Sequence, residues 1–227
     1  MQPERALAAL ARLARILTSP FVRFDIEGGT GLNERVGACV IVTDHRSLFD
    51  VVAGLIVFHR YRRYPRVLIE KKYVDSKWTR PFARAIGAIP VDREAGGGAA
   101  FAAAEAALRS GLSILVLPEG RLHWDPAHPI TTGRASTGAS RLAAQADAPL
   151  VAAGIVGTER VWPATNKLPS FNPFHRRRLV SVRVGDDAFV PDGEDHRERT
   201  DQLMAEVRRL MSEALASNLA QSAGRRR

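Results

Sequence analysis

Apolar residues recur along this chain in two rhythms. Over residues 3–17 they return every three or four positions, as Leu7, Leu10, Leu13, Ile16 and Leu17, with Arg5, Arg12 and Arg15 on other faces. That spacing predicts an amphipathic helix. Short apolar runs then take over. FVRFDIEG at 21–28, GACVIVT at 37–43, VLIEK at 67–71, AIPV at 88–91, SILVL at 113–117, PLVAAGIV at 149–156 and LVSVRVG at 179–185 read as strands. Helices are predicted between them over 48–60, apolar nearly all round and so buried, over 77–87 with Pro81 near its start, and over the Ala-rich 96–111 between glycines. A last helix spans about 196–219, striped by Leu203, Val207, Leu210, Met211 and Leu215, and the GRRR tail reads as disordered. Alternating strands and helices describe a single α/β domain with a mixed, largely parallel sheet flanked by helices. Residues 1–20 are then an N-terminal amphipathic helix, 21–219 the domain and 220–227 a basic tail. The loops at 121–135 and 158–178 are long, as functional loops tend to be.

In α/β folds ligands gather at the carboxyl ends of the strands, and three of these predicted ends carry polar, reactive residues. In TDHRSLFD, 43–50, His45 stands five positions before Asp50. On one continuous helix that spacing leaves the side chains about 140° apart. Here a strand ends at Thr43 and a helix follows, so the chain turns between the two residues. The carboxylate can then accept the imidazole Nδ1–H and leave Nε2 free as a base. The strand AIPV delivers Asp92 and Arg93, and SILVL delivers Pro118, Glu119, Gly120 and Arg121. The chain has no G-x-S-x-G elbow, and Cys39 falls inside a predicted strand. A His–Asp dyad without a protein nucleophile has to activate a hydroxyl or a water supplied with the substrate.

Composition narrows the setting. At 227 residues, 45% hydrophobic and 25% charged, the chain is globular and long enough to bury a core. A lone cysteine excludes an internal disulfide and a cysteine-rich zinc site, which suits a reducing cytoplasm. The net charge is +9, with a pI near 10.7. Residues 59–84 hold nine Lys and Arg against Glu70 and Asp75, a local excess of +7. Such a block suits an anionic partner: phospholipid headgroups, nucleic acid or a phosphorylated small molecule. No apolar run is long enough to span a bilayer, the longest uncharged one being VVAGLIVF at 51–58. Arg12 and Arg15 interrupt the N-terminal apolar stretch, so it does not read as a signal peptide. The N-terminal helix either packs on the domain or lies on a membrane surface.

Four blocks in order, H-x4-D at His45–Asp50, G-A-I-P-V-D-R at 87–93, P-E-G-R at 118–121 and A-P-L-V-A-A-G-I at 148–155, resemble those of the glycerolipid acyltransferases of the 1-acylglycerol-3-phosphate (lysophosphatidate) type. The resemblance covers roughly residues 37–190. It implies a glycerol-phosphate acyltransferase-like fold and transfer of an acyl group from acyl-CoA or acyl-carrier protein to a glycerol hydroxyl of a lysophospholipid, with no cofactor beyond that co-substrate. His45 is then the general base and Asp50 its orienting partner, while Arg93, Glu119, Gly120 and Arg121 bind the acceptor's phosphate and glycerol. Glu119 either hydrogen-bonds the glycerol or holds Arg93. Asp44, Ser47, His123 and Trp124 are candidates for lining the acceptor pocket. The chemistry fits: a thioester is already activated, so a base and positioning suffice, and guanidinium forks match a phosphate.

The sequence also departs from the family pattern. Arg121 follows Gly120 directly where the third block usually reads Glu-Gly-Thr-Arg, which bears on acceptor identity more than on chemistry. Asp44 replaces the Asn often found before the histidine, and a negative charge there would tend to raise the histidine's pKa. The long apolar N-terminal anchor of many members is absent, so peripheral attachment at the cytoplasmic face of the membrane would fall to the N-terminal helix and the basic 59–84 segment, each basic residue contributing about 1 kcal/mol near an anionic surface. His123, Trp124, Asp125 and His128 lack metal-ligand spacing, and no metal is expected. Trp162 with FNPFHRRR at 171–178 suits either a membrane interface or a solvated basic loop. Two other classes compete. Nucleic-acid binding would explain the charge but leaves the three strand ends unused, and no binding motif accompanies it. A thioesterase using the same dyad on water, or transfer to another lysophospholipid or glycolipid, remains an alternative.

Overall fold

The computed structural model describes residues 3–32, 37–120, 122, 129–130, 134–166, 168–171, 176–186, 188, 191 and 195–223. Among them a seven-stranded sheet forms the centre of one α/β domain. Five strands run parallel: β2 (Val40–Thr43), β3 (Arg66–Glu70), β4 (Ile89–Val91), β5 (Ile114–Val116) and β6 (Leu150–Val156). β1 (Val22–Gly28) and β7 (Arg178–Val184) pair parallel to each other, and β7 joins β6 antiparallel. The order is β1-β7-β6-β2-β5-β3-β4, the mixed and mostly parallel sheet predicted. One consequence places the chemistry: the carboxyl ends of β2 to β6 all lie at one edge.

Alternation along the strands sorts the side chains into two cores. In β2, Ile41 faces one layer while Val40 and Val42 face the other; in β6, Val151, Ala153 and Ile155 face the first while Leu150 and Ala152 face the second. The first layer holds α1 (Pro3–Thr18), α2 (Phe49–Arg60) and the end of α4 (Arg80–Ala85), which follows the short α3 (Lys71–Asp75). The second holds α5 (Gly98–Arg109), α6 (Gly138–Ala146) and α8 (His196–Ala223). α8 buries Leu203, Met204, Val207, Leu210 and Met211, and its backbone sits so close to β6 that a Cβ on Gly154 would lie 2.3 Å from the Met211 nitrogen. Only glycine permits that approach.

Three helices escaped the pattern: α6, α3 and the four-residue α7 (Thr158–Val161), which opens a segment read as a loop. α6 buries Ala139, Ser140, Leu142 and Ala143, residues so small that its apolar stripe is faint. α3 buries none of its residues. α8 runs on to Ala223, four residues beyond the predicted end; residues 224–227 lie outside the described ones. α1 does two things at once. Leu7 and Ala11 are buried against the domain, while Leu13, Ile16 and Leu17 stay 52–67% exposed. Cys39 is fully buried, and burial pushes its thiol pKa up. No helix among the described residues is long and apolar enough to cross a membrane.

Candidate active site

The sequence between β2 and α2 folds as a turn organised by one carboxylate. Asp50 lies in the first turn of α2. Its Oδ2 accepts the backbone N–H of Arg46 at 2.7 Å and of Ser47 at 2.8 Å, and lies 3.0 Å from His45 Nδ1. With the proton on Nδ1 the imidazole donates to Asp50 and its Nε2 lone pair is available. The Asp50 side chain is 3% exposed and the His45 ring 17%, so the carboxylate is shielded while the ring meets solvent at its edge. The turn thus closes the angular gap that a continuous helix would have left.

Asp44, Arg46 and Ser47 lie beneath this pair. Asp44 and Ser47, candidates for the acceptor pocket, are both fully buried. Asp44 Oδ1 accepts the Ile155 N–H at 3.2 Å, and its Oδ2 lies 3.6 Å from Arg46 Nε. Burial pushes the Asp44 carboxyl up to about 8, with Asp50 and Glu119 adding in the same direction against Arg46. The negative charge expected beside the base is therefore largely absent near neutral pH. Arg46, which sequence reasoning passed over, donates to the carbonyls of Ile155 at 3.3 Å and of Pro129. Ser47 Oγ donates to the Trp162 carbonyl at 2.7 Å and accepts the Phe49 N–H at 3.0 Å. The turn is stitched to β6 and to the chain following α7 (Thr158–Val161).

The second and third strand ends meet each other. Arg93, 55% exposed, donates to the Gly120 carbonyl, and its Nε lies 3.2 Å from Glu70, a partner the sequence did not single out. Lys71 pairs with Asp92 at 2.9 Å. Gly120 has φ +63°, and a Cβ there would come within 2.7 Å of the Arg93 guanidinium; glycine both makes the turn and admits the arginine. Glu119 is partly buried and close enough to Asp44 to act on its carboxyl. Arg121, His123, Trp124, Asp125 and His128 lie outside the described residues. Among the described residues no three His, Cys, Asp or Glu side chains are grouped to hold a metal ion.

One feature was invisible in the sequence. A small apolar pocket of about 30 Å³ is lined by Thr43 and Asp50, by Val51, Gly54, Val57 and Phe58 on α2, and by Leu115, Ala153 and Val182 on the sheet. A second, of about 20 Å³, shares Val51, Gly54, Phe58, Val67 and Leu115 and is lined also by Leu7, Tyr64 and Ile86. Both lie beside α2, and the first includes Asp50 in its lining. Gly54, a glycine inside an apolar helix, was the one clue.

Comparison with known proteins bears on the family and the fold. Residues 25–156 match the family described as Acyltransferase. The crystal structure of PlsC, the 1-acyl-sn-glycerophosphate (LPA) acyltransferase from Thermotoga maritima, shares the fold with a TM-score of 0.70 at 15% sequence identity, over 91% of this chain and 78% of that one. No curated protein sequence matches.

Proposed function

The chain belongs to the acyltransferase family, and from that premise we propose that it moves a fatty acyl group from acyl-CoA or acyl-carrier protein to a hydroxyl of a lysophospholipid, with 1-acylglycerol 3-phosphate as the leading acceptor. The observation that carries this reading is the His45–Asp50 pair, 3.0 Å apart, whose aspartate also lines a small apolar pocket. A base alone suits many reactions; a base beside apolar lining, in a chain of this family, suits acyl transfer.

In this reading His45 Nε2 takes the proton of the acceptor hydroxyl as its oxygen attacks the thioester carbonyl. The new C–O bond forms, the tetrahedral oxyanion collapses, the C–S bond breaks, and the departing thiolate receives the proton from the imidazolium. Asp50, held by two backbone N–H groups, keeps the ring in the required tautomer and stabilises its cationic form. The acyl chain lies along α2. Arg93, presented by Glu70 and Gly120, meets the acceptor phosphate, and Arg121 joins it by analogy with the family motif. Peripheral attachment at the cytoplasmic face of the membrane is supported by the apolar outer face of α1.

The test is free-thiol release from palmitoyl-CoA, with and without glycerol 3-phosphate, lysophosphatidate and neutral or inositol-bearing lysophospholipids, each repeated with His45→Ala. Release that needs one acceptor and disappears in the variant is expected. Release without acceptor identifies a thioesterase instead, and silence with both CoA and carrier-protein donors refutes the reading.

A further inference from the structure

The basic block of residues 59–84 is one stretch in sequence, but the fold cuts it in two. Arg60, Arg62, Arg63 and Arg66 fall where α2 ends and β3 begins, at the edge of the sheet away from His45. Lys71, Lys72, Lys77 and Arg80 follow the carboxyl end of β3, at the same edge as His45 and Arg93. This second group belongs to a small lobe made of α3, a turn over 76–79, and α4.

The lobe carries its aromatic residues outward. Trp78, in the turn, is 93% exposed, with Tyr73 at 46% and Phe82 at 36%. α3 buries nothing and α4 only Ala83, so these rings add little to a core. The turn is nevertheless built: Thr79 Oγ1 donates to the Tyr73 carbonyl, and the Arg80 N–H donates to Ser76 O at 2.8 Å. Lys72 stands 5.0 Å above the Tyr73 ring. Over residues 70–84 the charge is five basic against two acidic, or +3. Ion pairs then lead from the lobe to the site: Lys71 to Asp92, Lys72 to Glu70, Glu70 to Arg93.

We propose that this lobe docks the protein on an anionic lipid bilayer, with Trp78 seated at headgroup depth and Lys71, Lys72, Lys77 and Arg80 against anionic headgroups. An exposed indole beside amphipathic tyrosine and lysine side chains matches the layered chemistry of a membrane–water interface, and the excess positive charge complements its surface. Resting on the acyltransferase reading, the same docking brings the acceptor's phosphate out of the bilayer beside Arg93, so the lipid need not cross water.

The test is co-sedimentation of the full chain with vesicles of phosphatidylcholine, alone or mixed equally with phosphatidylglycerol. Wild type is compared with Trp78→Ala, with Lys77→Glu/Arg80→Glu, and with a variant carrying serine at Leu13, Ile16 and Leu17. Trp78→Ala is expected to weaken partitioning onto the mixed vesicles about tenfold, and the charge variant to weaken it in a way that salt mimics. Trp78 is nearly all in solvent, so circular dichroism of its variant should match wild type. Thiol release with a monomeric short-chain acceptor should be unchanged in Trp78→Ala, while release with vesicle-embedded acceptor should fall. Equal binding by wild type and Trp78→Ala, with binding lost only in the α1 variant, would overturn the proposal. So would unchanged vesicle binding with turnover lost only for a carrier-protein donor, which makes the lobe a protein dock. Because binding is read without catalysis, an inactive enzyme that still needs Trp78 for vesicles would refute the activity and leave the dock standing.

Discussion

The two helical layers covering the sheet are packed to different standards. On one side α8 presses its backbone onto β6 at Gly154, and Leu203, Met204, Val207, Leu210 and Met211 are fully or almost fully buried. On the other side two small apolar pockets, of about 30 and 20 Å³, remain between α2 and its neighbours. Interiors are close-packed wherever packing alone is at stake. Both of these pockets lie on the α2 side, and one of them is lined by Asp50 of the largely buried His–Asp pair. The α8 side is the scaffold, and the α2 side is where the chain gives up packing for chemistry.

That contrast can be broken in several places. His45→Ala should cut acyl transfer by about a thousandfold while moving stability by less than about 1 kcal/mol, as read from steady-state rates beside a urea melt. Gly154→Val should do the reverse in kind: its side chain meets the α8 backbone, so a loss of about 3 kcal/mol or more is expected, visible as a lowered urea midpoint or insoluble protein. Gly54→Leu sharpens the comparison. A Cβ at Gly54 has only the Leu115 and Phe58 side chains near it, at 3.8–3.9 Å, so the larger residue meets no backbone but overfills a pocket of about 30 Å³. Stability should fall by about 1–3 kcal/mol, whereas the preference among acyl-CoA donors should move toward shorter chains by about tenfold.

The smallest expected effect concerns Asp44. Its carboxyl ionises near 8 in the fold against 3.8 ordinarily, so between those values the folded chain holds a proton that the unfolded chain has released. The stability this contributes is full below about pH 4, declines as pH rises, and is gone above about 8. Asp44→Asn should remove that decline. Unfolding free energies from urea melts at pH 7 and pH 8 should differ by about 1 kcal/mol more in wild type than in the variant; equal slopes would mean that Asp44 is ionised throughout.

Much of the site could be read from the sequence because it is local. The H-x4-D spacing, the break between strand and helix, and the glycine at 120 are all short-range signals, and the parallel strand order then gathers their positions at one edge. What escaped depends on contacts between distant segments. The cavity exists because Leu115, Ala153 and Val182 come from three separate strands. Glu70 reaches Arg93 from a neighbouring strand. Asp44 lies buried because Ile155 closes over it, so a residue that looked like pocket lining is part of the support. The basic block misled for the same reason: adjacency along the chain concealed that β3 carries its two halves to opposite edges.

The most direct test measures acylated lysophosphatidate by mass spectrometry for wild type, His45→Ala and Met211→Ala at equal folded concentration. Met211→Ala, in the tight layer, should lose about 2–5 kcal/mol of stability yet form product at the wild-type rate per folded molecule, while His45→Ala forms almost none. Product from His45→Ala at a comparable rate would contradict the account, because the chemistry would then lie elsewhere than at the His45–Asp50 pair.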